Sequence, residues 1–323
     1  MSSLVVPAWA WALLATIVVF SIALDLFAHR GDRVDSKRRA LVWTLVWVAV
    51  SLLFCGWVAV RFGATAGEEF LAAYLLEKSL SVDNLFVFLL VFGSLKIPAT
   101  EQRRVLTWGI FGAIASRGIL IFAGAAAIER WHALTYVFGL ILVVAALKLL
   151  RSPKPEDEDD NAVLRWLEKH VRWTRKLHGH RFFIRENGRR VATPLLIALI
   201  AIELTDVVFA IDSVPAAFAV SEEPFIIYSS NLLAILGLRA LYVVLAGALA
   251  DLRYLRYGLA AVLAFAGGKL LAAPWLKVPP LPSVGVIATC IAISVLCSVR
   301  ANRRDARILR PPLPEAHARP VGP

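Results

Sequence analysis

Long apolar stretches, separated by short polar segments, dominate the pattern of hydrophobic and polar positions along the chain. Nine of them approach or exceed the about 20 residues that a helix needs to cross a bilayer. They cover residues 7–28, 40–60, 69–93, 105–127, 131–150, 192–220, 225–250, 255–273 and 284–299. This pattern predicts an all-α fold, a polytopic membrane helix bundle of about nine transmembrane helices.

The basic residues between these stretches predict how the helices are oriented. The first, third, fifth and seventh connections and the C-terminal tail hold 27 Lys and Arg residues, whereas the alternate connections hold three, namely Arg61, Arg130 and Lys277. Short basic loops face the cytoplasm. We therefore expect the N-terminus outside, the C-terminus in the cytoplasm and an odd number of spans.

The composition agrees with a membrane protein and excludes other classes. Hydrophobic residues make up 59% and charged residues 18%, with a mean hydropathy of +0.69. The charged fraction is well below the roughly 25% of a typical soluble protein. A net charge of +11 can indicate nucleic-acid binding, but here the basic residues lie between apolar stretches rather than on one soluble face. We expect no nucleic-acid partner.

The apolar stretches divide the chain into four parts. Residues 1–150 hold five predicted helices and a first acidic motif, and residues 192–299 hold four helices and a second acidic motif. Residues 151–191 form one long cytoplasmic connection, through which protein partners could dock, and residues 300–323 form a cytoplasmic tail rich in Pro and Arg.

The connection over 151–191 contains three kinds of segment. An acidic run over 156–160 is expected to be solvated. Apolar residues at helical spacing over 162–177 predict a basic amphipathic helix on the inner membrane surface. The Asn187-Gly188 pair, which follows an apolar run, predicts a β-hairpin turn.

Five carboxylates lie well inside the third and sixth apolar stretches. A charged side chain at the centre of a spanning helix costs about 2.5–3.5 kcal/mol, so five facing lipid would cost on the order of 12–18 kcal/mol. They must therefore face the bundle interior or a water-filled cavity. These carboxylates belong to Glu77, Asp83, Glu203, Asp206 and Asp212.

Basic residues inside the stretches offer partners to these acids. With Asp25, six acids face four bases, a surplus of two negative charges that suits one divalent cation. Structural ion pairs are the alternative, and protonation of a carboxylate would remove the surplus. The four bases are Lys78, Arg117, Arg239 and Lys269.

The two acidic motifs resemble each other. Residues 82–85 align with residues 211–214, and in each motif an acid precedes the shared Asp by six residues. Because the third and sixth stretches are an odd number apart, they cross the membrane in opposite directions. We therefore predict an inverted three-helix repeat, with an ion site near the midplane where the halves meet.

Helical geometry decides which of these side chains share a face. Glu77 and Asn84 are seven residues apart, as are Asp206 and Ser213, so each pair shares a face. Asp83 and Asp212 join them only if the helices unwind locally. Pro215 could support such unwinding or introduce an ordinary kink.

Carboxylates, amide carbonyls and hydroxyls are hard oxygen donors that suit Mg²⁺, Ca²⁺ or Mn²⁺. No intramembrane histidine accompanies the acids, which argues against a dedicated zinc site. Arg239 could hold the carboxylates apart, replace the cation in an empty state, or form a structural ion pair. The supporting residues of the predicted site are Lys78, Ser81, Ser213, Asn231 and Arg239.

Three segments carry a family resemblance. Residues 77–84, 203–216 and 230–242 resemble the signatures of the TerC/Alx family, and the similarity extends over roughly residues 10–300. The resemblance implies a multi-pass protein of the bacterial inner membrane that acts in metal homeostasis. The family is linked to manganese efflux and historically to tellurium resistance, and some members are tied to loading metal onto exported enzymes.

The same resemblance implies membership of a larger group of small-cation exporters built on inverted three-helix repeats. Carried over position by position, it makes six residues the candidate metal ligands. These are Glu77, Asp83, Asn84, Glu203, Asp206 and Asp212.

We therefore expect a transporter that moves a divalent cation, with Mn²⁺ favoured, out of the cytoplasm in exchange for protons. No organic cofactor is expected, and the absence of a nucleotide-binding motif argues against direct use of ATP. A membrane scaffold that binds metal and delivers it to partner proteins is the alternative. An enzyme is not expected, because no nucleophile and base accompany the acids.

Overall fold

A computed structural model of the chain describes residues 5–28, 37–131, 133–151, 166–167, 169–186, 189–245, 254–276 and 278–308. The acidic run over 156–160, the first residues of the predicted amphipathic helix, the predicted turn residues and the tail beyond Ile308 lie outside the described residues. The side chains of Asp25 and Asp83 lie outside them as well.

Ten α-helices and one two-stranded sheet are bounded within the described residues, and a short helical segment ends at His170. The N-terminal helices are α1 (Ala8–Ala28), α2 (Lys37–Phe62), α3 (Ala64–Ser94), α4 (Ala99–Arg130) and α5 (Leu134–Arg151). The strands are β1 (Phe183–Glu186) and β2 (Arg189–Ala192). The C-terminal helices are α6 (Pro194–Phe218), α7 (Pro224–Ile235), α8 (Leu238–Leu245), α9 (Leu255–Ala272) and α10 (Pro280–Ile308).

The predicted all-α membrane bundle is confirmed. Six of the described helices (α2, α4, α5, α6, α9 and α10) are long and apolar enough to cross a membrane, and α7 with α8 adds a seventh if the bent pair is one span. Helix α1 is shorter over its described apolar part, and the 31-residue α3 carries the charges of the first acidic motif. The total of nine spans and the inverted repeat stay predictions.

The helices that carry the two acidic motifs run antiparallel. Leu85 and Phe88, in the second half of α3, belong to the same buried cluster as Ala198, near the start of α6. Ala72, in the first half of α3, instead belongs to a cluster with Ala216, near the end of α6. The opposite directions that the inverted repeat requires are therefore present in this helix pair.

The helix break lies elsewhere than the sequence suggested. Helices α3 and α6 are continuous through Asp83 and Asp212, and Pro215 lies within α6. The chain breaks instead after α7, where α7 and α8 meet at an angle of 40°. Local unwinding of α3 or α6 is therefore absent from the described residues, and Asp212 keeps the direction that an unbroken helix gives it.

Two side chains from other helices stabilise the end of α7. The last carbonyls of a helix lack intrahelical donors. At this end, Lys78 Nζ donates to the Ala234 carbonyl at 3.1 Å, and Ser51 Oγ lies 3.5 Å from the Leu233 carbonyl. Gly237 follows at the break, where an added Cβ would come within 2.9 Å of Trp47 Cβ. The break is thus held by α2 and α3.

The connection between α5 and α6 contains the predicted hairpin. Strands β1 and β2 pair antiparallel, and Glu186 pairs with Arg189, with residues 187 and 188 between them in the chain. The amphipathic helix predicted over 162–177 is wrong in its second half. Beyond His170 the chain leaves the helix, and Trp173 bridges to Ala192 at the end of β2. Burial of partly apolar side chains against the bundle overrides the helical spacing there.

The last helix, α10, also extends beyond its predicted boundary. Its described residues continue to Ile308, past the boundary expected at residue 299. The added residues are rich in Arg and Ala, which favour helix. The C-terminal tail therefore begins as an extension of the last helix.

Candidate functional site

A buried ionic network joins three helices in the bundle interior. Arg117 of α4 is 2% exposed and forms ion pairs with Glu77 of α3 and Asp206 of α6. Its Nη2 donates to Asp206 Oδ1 at 2.9 Å and its Nε to Asp206 Oδ2 at 3.3 Å. Its Nη1 donates to Glu77 Oε1. One guanidinium therefore holds both acidic motifs together.

Two amide side chains extend this network. Arg117 Nη1 also donates to Asn231 Oδ1 at 2.7 Å, and Asn231 Nδ2 donates to Glu77 Oε2 at 3.2 Å. Asn84 Nδ2 donates to Asp206 Oδ1 at 3.4 Å. Because Asn231 lies on α7, four helices contribute to one interior cluster, which we call the Arg117 cluster (Glu77, Asn84, Arg117, Asp206 and Asn231).

The helical repeat explains why these positions meet. Ser81 and Asn84 follow Glu77 by one and two turns of α3, so the three side chains lie on one face. All three are buried, and Ser81 Oγ donates to Glu77 Oε1 at 3.4 Å. On α6, Asp206 and Ser213 are both buried, as their spacing predicts. Ser213 Oγ has no hydrogen-bond partner among the described residues.

A small cavity lies beside the Arg117 cluster. It has a volume of about 20 Å³, which is room for one water molecule. Its polar lining comprises Ser81, Arg117, Glu203, Asp206 and Arg239. The charged side chains of Arg117, Glu203, Asp206 and Arg239 therefore border one common space.

Glu203 is the carboxylate of this cavity that stays outside the ionic network. Its Oε1 atom is buried and has no hydrogen-bond partner within the described part of the chain. The carboxylate packs against α4 so closely that a Cβ atom added at Gly112 would overlap it. Glu203 and Asp206 are one turn apart on α6. Glu203 therefore lies one helical turn from Asp206, the residue that binds Arg117.

The predicted ligand Asp212 and two of the predicted intramembrane bases lie away from the cluster. Asp212 is half-buried and interacts electrostatically with Lys148 of α5, apart from the cluster. The Nζ atom of Lys78, a residue of α3, contacts the end of α7. Lys269 Nζ donates to Ser283 of α10 at 3.2 Å. No group of three or more His, Cys, Asp or Glu side chains among the described residues is arranged to hold a metal ion.

Sequence reasoning gave Arg117 too small a role. It counted Arg117 among the available bases and considered only Arg239, which lines the adjacent cavity, as a residue that could hold the carboxylates apart or replace the cation, with a structural ion pair as the alternative. The available signal was the isolation of Arg117 within residues 105–127, where it is the only charged residue. A single charge in a spanning helix requires a partner on another helix.

Comparison with known proteins identifies the family. The family model described as integral membrane protein TerC family matches residues 62–306. A membrane protein of Myxococcus xanthus, STKORF319, is 45% identical over 295 residues, which is 91% of this chain and 92% of that protein. A protein of Photorhabdus laumondii named Alx, described as a membrane-bound redox modulator, is 41% identical over 307 residues, or 92% of this chain and 96% of the relative.

The Escherichia coli protein of the same name is 40% identical over 305 residues, covering 91% of this chain and 95% of its own length. No solved structure matches the chain. The match to the family model covers more than half of the sequence, and these relatives align over nearly their whole length. The chain therefore belongs to the TerC family of integral membrane proteins.

Proposed function

We propose that this protein exports a divalent metal cation from the cytoplasm across the inner membrane of a bacterium. The observation that carries the proposal is the convergence of Glu77 and Asp206, from antiparallel helices, with Asn84 and Asn231 in the buried Arg117 cluster. Oxygen donors of this kind suit hard cations. Mn²⁺ is the favoured ion because of the family resemblance, since the donor atoms alone fit Mg²⁺ and Ca²⁺ equally.

In this proposal Arg117 is a tethered cation that occupies the position of the metal. Its guanidinium is bound between the two carboxylates that a metal would bind. A cation can reach both carboxylates only when Arg117 releases at least one of them. Metal and guanidinium would then bind alternately, and the buried carboxylates would be neutralised in both states, as their burial requires.

Glu203 is the proposed second partner of Arg117. Both residues line the small cavity, and the Glu203 Oε1 atom has no hydrogen-bond partner among the described residues. A rotation of Arg117 toward Glu203 would keep its bond with Asp206 and free Glu77 for the metal. Neutralisation of the displaced guanidinium would lower the free energy of the metal-bound state.

A count of charges supports proton coupling. Ionised Glu77, Glu203 and Asp206 carry three negative charges, and Arg117 with one divalent cation carries three positive charges. When the cation leaves, two protons taken up by intramembrane carboxylates, of which Glu203 lies outside the ionic network, restore the same net charge. Exchange of one divalent cation for two protons therefore leaves the net charge of the bundle interior unchanged, which avoids the cost of an added buried charge.

Efflux from metal-loaded cells tests this function. Cells that express the protein are loaded with Mn²⁺, and the loss of Mn²⁺ is followed for the wild type, for Glu77→Gln and for Glu129→Gln. Glu129 lies at the exposed end of α4 and serves as the matched acidic control. We expect efflux from wild type and Glu129→Gln, and a loss of at least tenfold in Glu77→Gln at equal protein level. Equal efflux from all three would contradict the proposed site.

A further inference from the structure

The hairpin between α5 and α6 has an unfavourable charge arrangement on one face. Arg185 of β1 and Arg190 of β2 are directly opposite each other, and both are exposed. Like charges in directly opposed positions destabilise an antiparallel pair. The pair therefore provides two guanidinium groups to one anion, and binding of that anion would remove the repulsion.

The two faces of the hairpin differ. Because side chains alternate across a strand, Phe183, Arg185 and Arg190 share one face, which we call the Arg face. The other face carries the complementary pair of Glu186 and Arg189. On the Arg face Phe183 is 57% exposed, so an apolar side chain accompanies two positive charges.

The base of the hairpin is fixed at the end of the bundle. Thr193 N donates to the Phe182 carbonyl at 3.0 Å, and the Arg104 guanidinium of α4 lies 5.4 Å from the centre of the Phe182 ring. The membrane-crossing helix α6 begins at Pro194. At about 3.3 Å per residue, Arg190 lies at most about 13 Å along the chain from Pro194. The Arg face is therefore within reach of the headgroup layer that borders the hydrocarbon core.

A second contact links the hairpin segment to α4. His180 Nδ1 lies 2.9 Å from Glu101 Oε1, in the first turn of α4. Helix α4 also carries Arg117. The His180–Glu101 contact therefore connects the hairpin segment to the helix that supplies Arg117.

We propose that the Arg face binds the phosphate groups of anionic phospholipids in the adjacent leaflet, with Phe183 inserted at the interface. Guanidinium groups match phosphate oxygens in planar, two-point geometry. An aromatic ring beside basic residues is typical of elements that lie in the membrane interface. The inference does not depend on the transported ion.

Hydrogen exchange of the full protein in lipid nanodiscs tests the proposal. The amide exchange of residues 183–192 is compared between discs of phosphatidylcholine and discs that also contain phosphatidylglycerol. We expect slower exchange with phosphatidylglycerol, and less protection at high salt. A basic residue near an anionic surface contributes roughly fivefold to association, so Arg190→Gln is expected to lower the lipid-dependent protection by about fivefold.

Arg189→Gln is the matched control, because it removes the same charge from the adjacent position on the other face. It is expected to keep most of the protection, and Arg190→Lys is expected to retain more than Arg190→Gln. Unchanged exchange in phosphatidylcholine discs will show that the hairpin is intact in each variant. Equal loss in Arg189→Gln and Arg190→Gln, absence of any phosphatidylglycerol effect, or full protection by inorganic phosphate alone would overturn the proposal.

Discussion

Arg117 and Asp206 form a two-point ion pair across the contact between α4 and α6. The two hydrogen bonds measure 2.9 Å and 3.3 Å, and both side chains are buried. A buried pair of this kind is stabilising only while both partners remain, because each charge would otherwise be left uncompensated. The pair therefore links the stability of the bundle to the occupancy of the proposed ion site.

The first prediction concerns competition between Arg117 and the metal. Arg117→Gln removes the tethered cation, so Glu77 and Asp206 lose their neutralising partner. We expect the free energy of unfolding to fall by about 3–5 kcal/mol without metal. Because the metal then meets no competitor, Mn²⁺ should bind at least tenfold more tightly and restore much of the lost stability.

Thermal unfolding with and without Mn²⁺ measures both effects. The double variant Arg117→Gln/Asp206→Asn is the control, since it removes one carboxylate as well as the guanidinium. It should be more stable than Arg117→Gln in metal-free buffer and should gain less from Mn²⁺. A stabilisation by Mn²⁺ that is no larger in Arg117→Gln than in the wild type would show that guanidinium and metal do not compete.

The second prediction is that Glu203 contributes to metal binding but not to the stability of the bundle. Glu203→Gln replaces a carboxylate that lies outside the ionic network with a neutral group of nearly equal size. We expect no loss of thermal stability, but about tenfold weaker Mn²⁺ binding, because the displaced Arg117 loses its second partner. Isothermal titration of the purified variant measures the affinity. Unchanged affinity would remove Glu203 from the mechanism.

The third prediction concerns the break between α7 and α8. Lys78→Met removes the donor to the Ala234 carbonyl and leaves that buried carbonyl unsatisfied. Such a loss costs about 1–3 kcal/mol. Lys78→Arg keeps a charged donor and should recover part of the stability. Unfolding of both variants in detergent measures the difference, and equal stability of Lys78→Met and the wild type would show that the bond contributes little.

Much of the fold follows from patterns that are local in the sequence. Apolar stretches predict the helices, and the seven-residue spacing of Glu77 and Asn84 predicts their common buried face. The Asn187-Gly188 signal predicts the hairpin that β1 and β2 form. These features depend on patterns within a single helix or hairpin, and such patterns can be read from one sequence.

The parts that were not predicted depend on contacts between distant elements. The position of Arg117 between Glu77 and Asp206 brings together residues of three helices. Asp212 was grouped with Asp206 by motif, but in an unbroken α6 it interacts electrostatically with Lys148 instead. The break after α7 depends on Lys78, which is more than 150 residues away in the chain. Periodicity within one helix carries no information on these partners.

The most direct test of the central claim is Mn²⁺ flux into proteoliposomes of the purified protein, measured with and without an imposed pH gradient. Wild type, Asp206→Asn and the exposed-acid control Glu129→Gln are compared at equal incorporation. We predict gradient-dependent flux for wild type and Glu129→Gln, and at least a tenfold loss for Asp206→Asn. Wild-type flux in Asp206→Asn would contradict the site, and Mn²⁺ binding without flux by the wild type would contradict transport in favour of a metal-delivery scaffold.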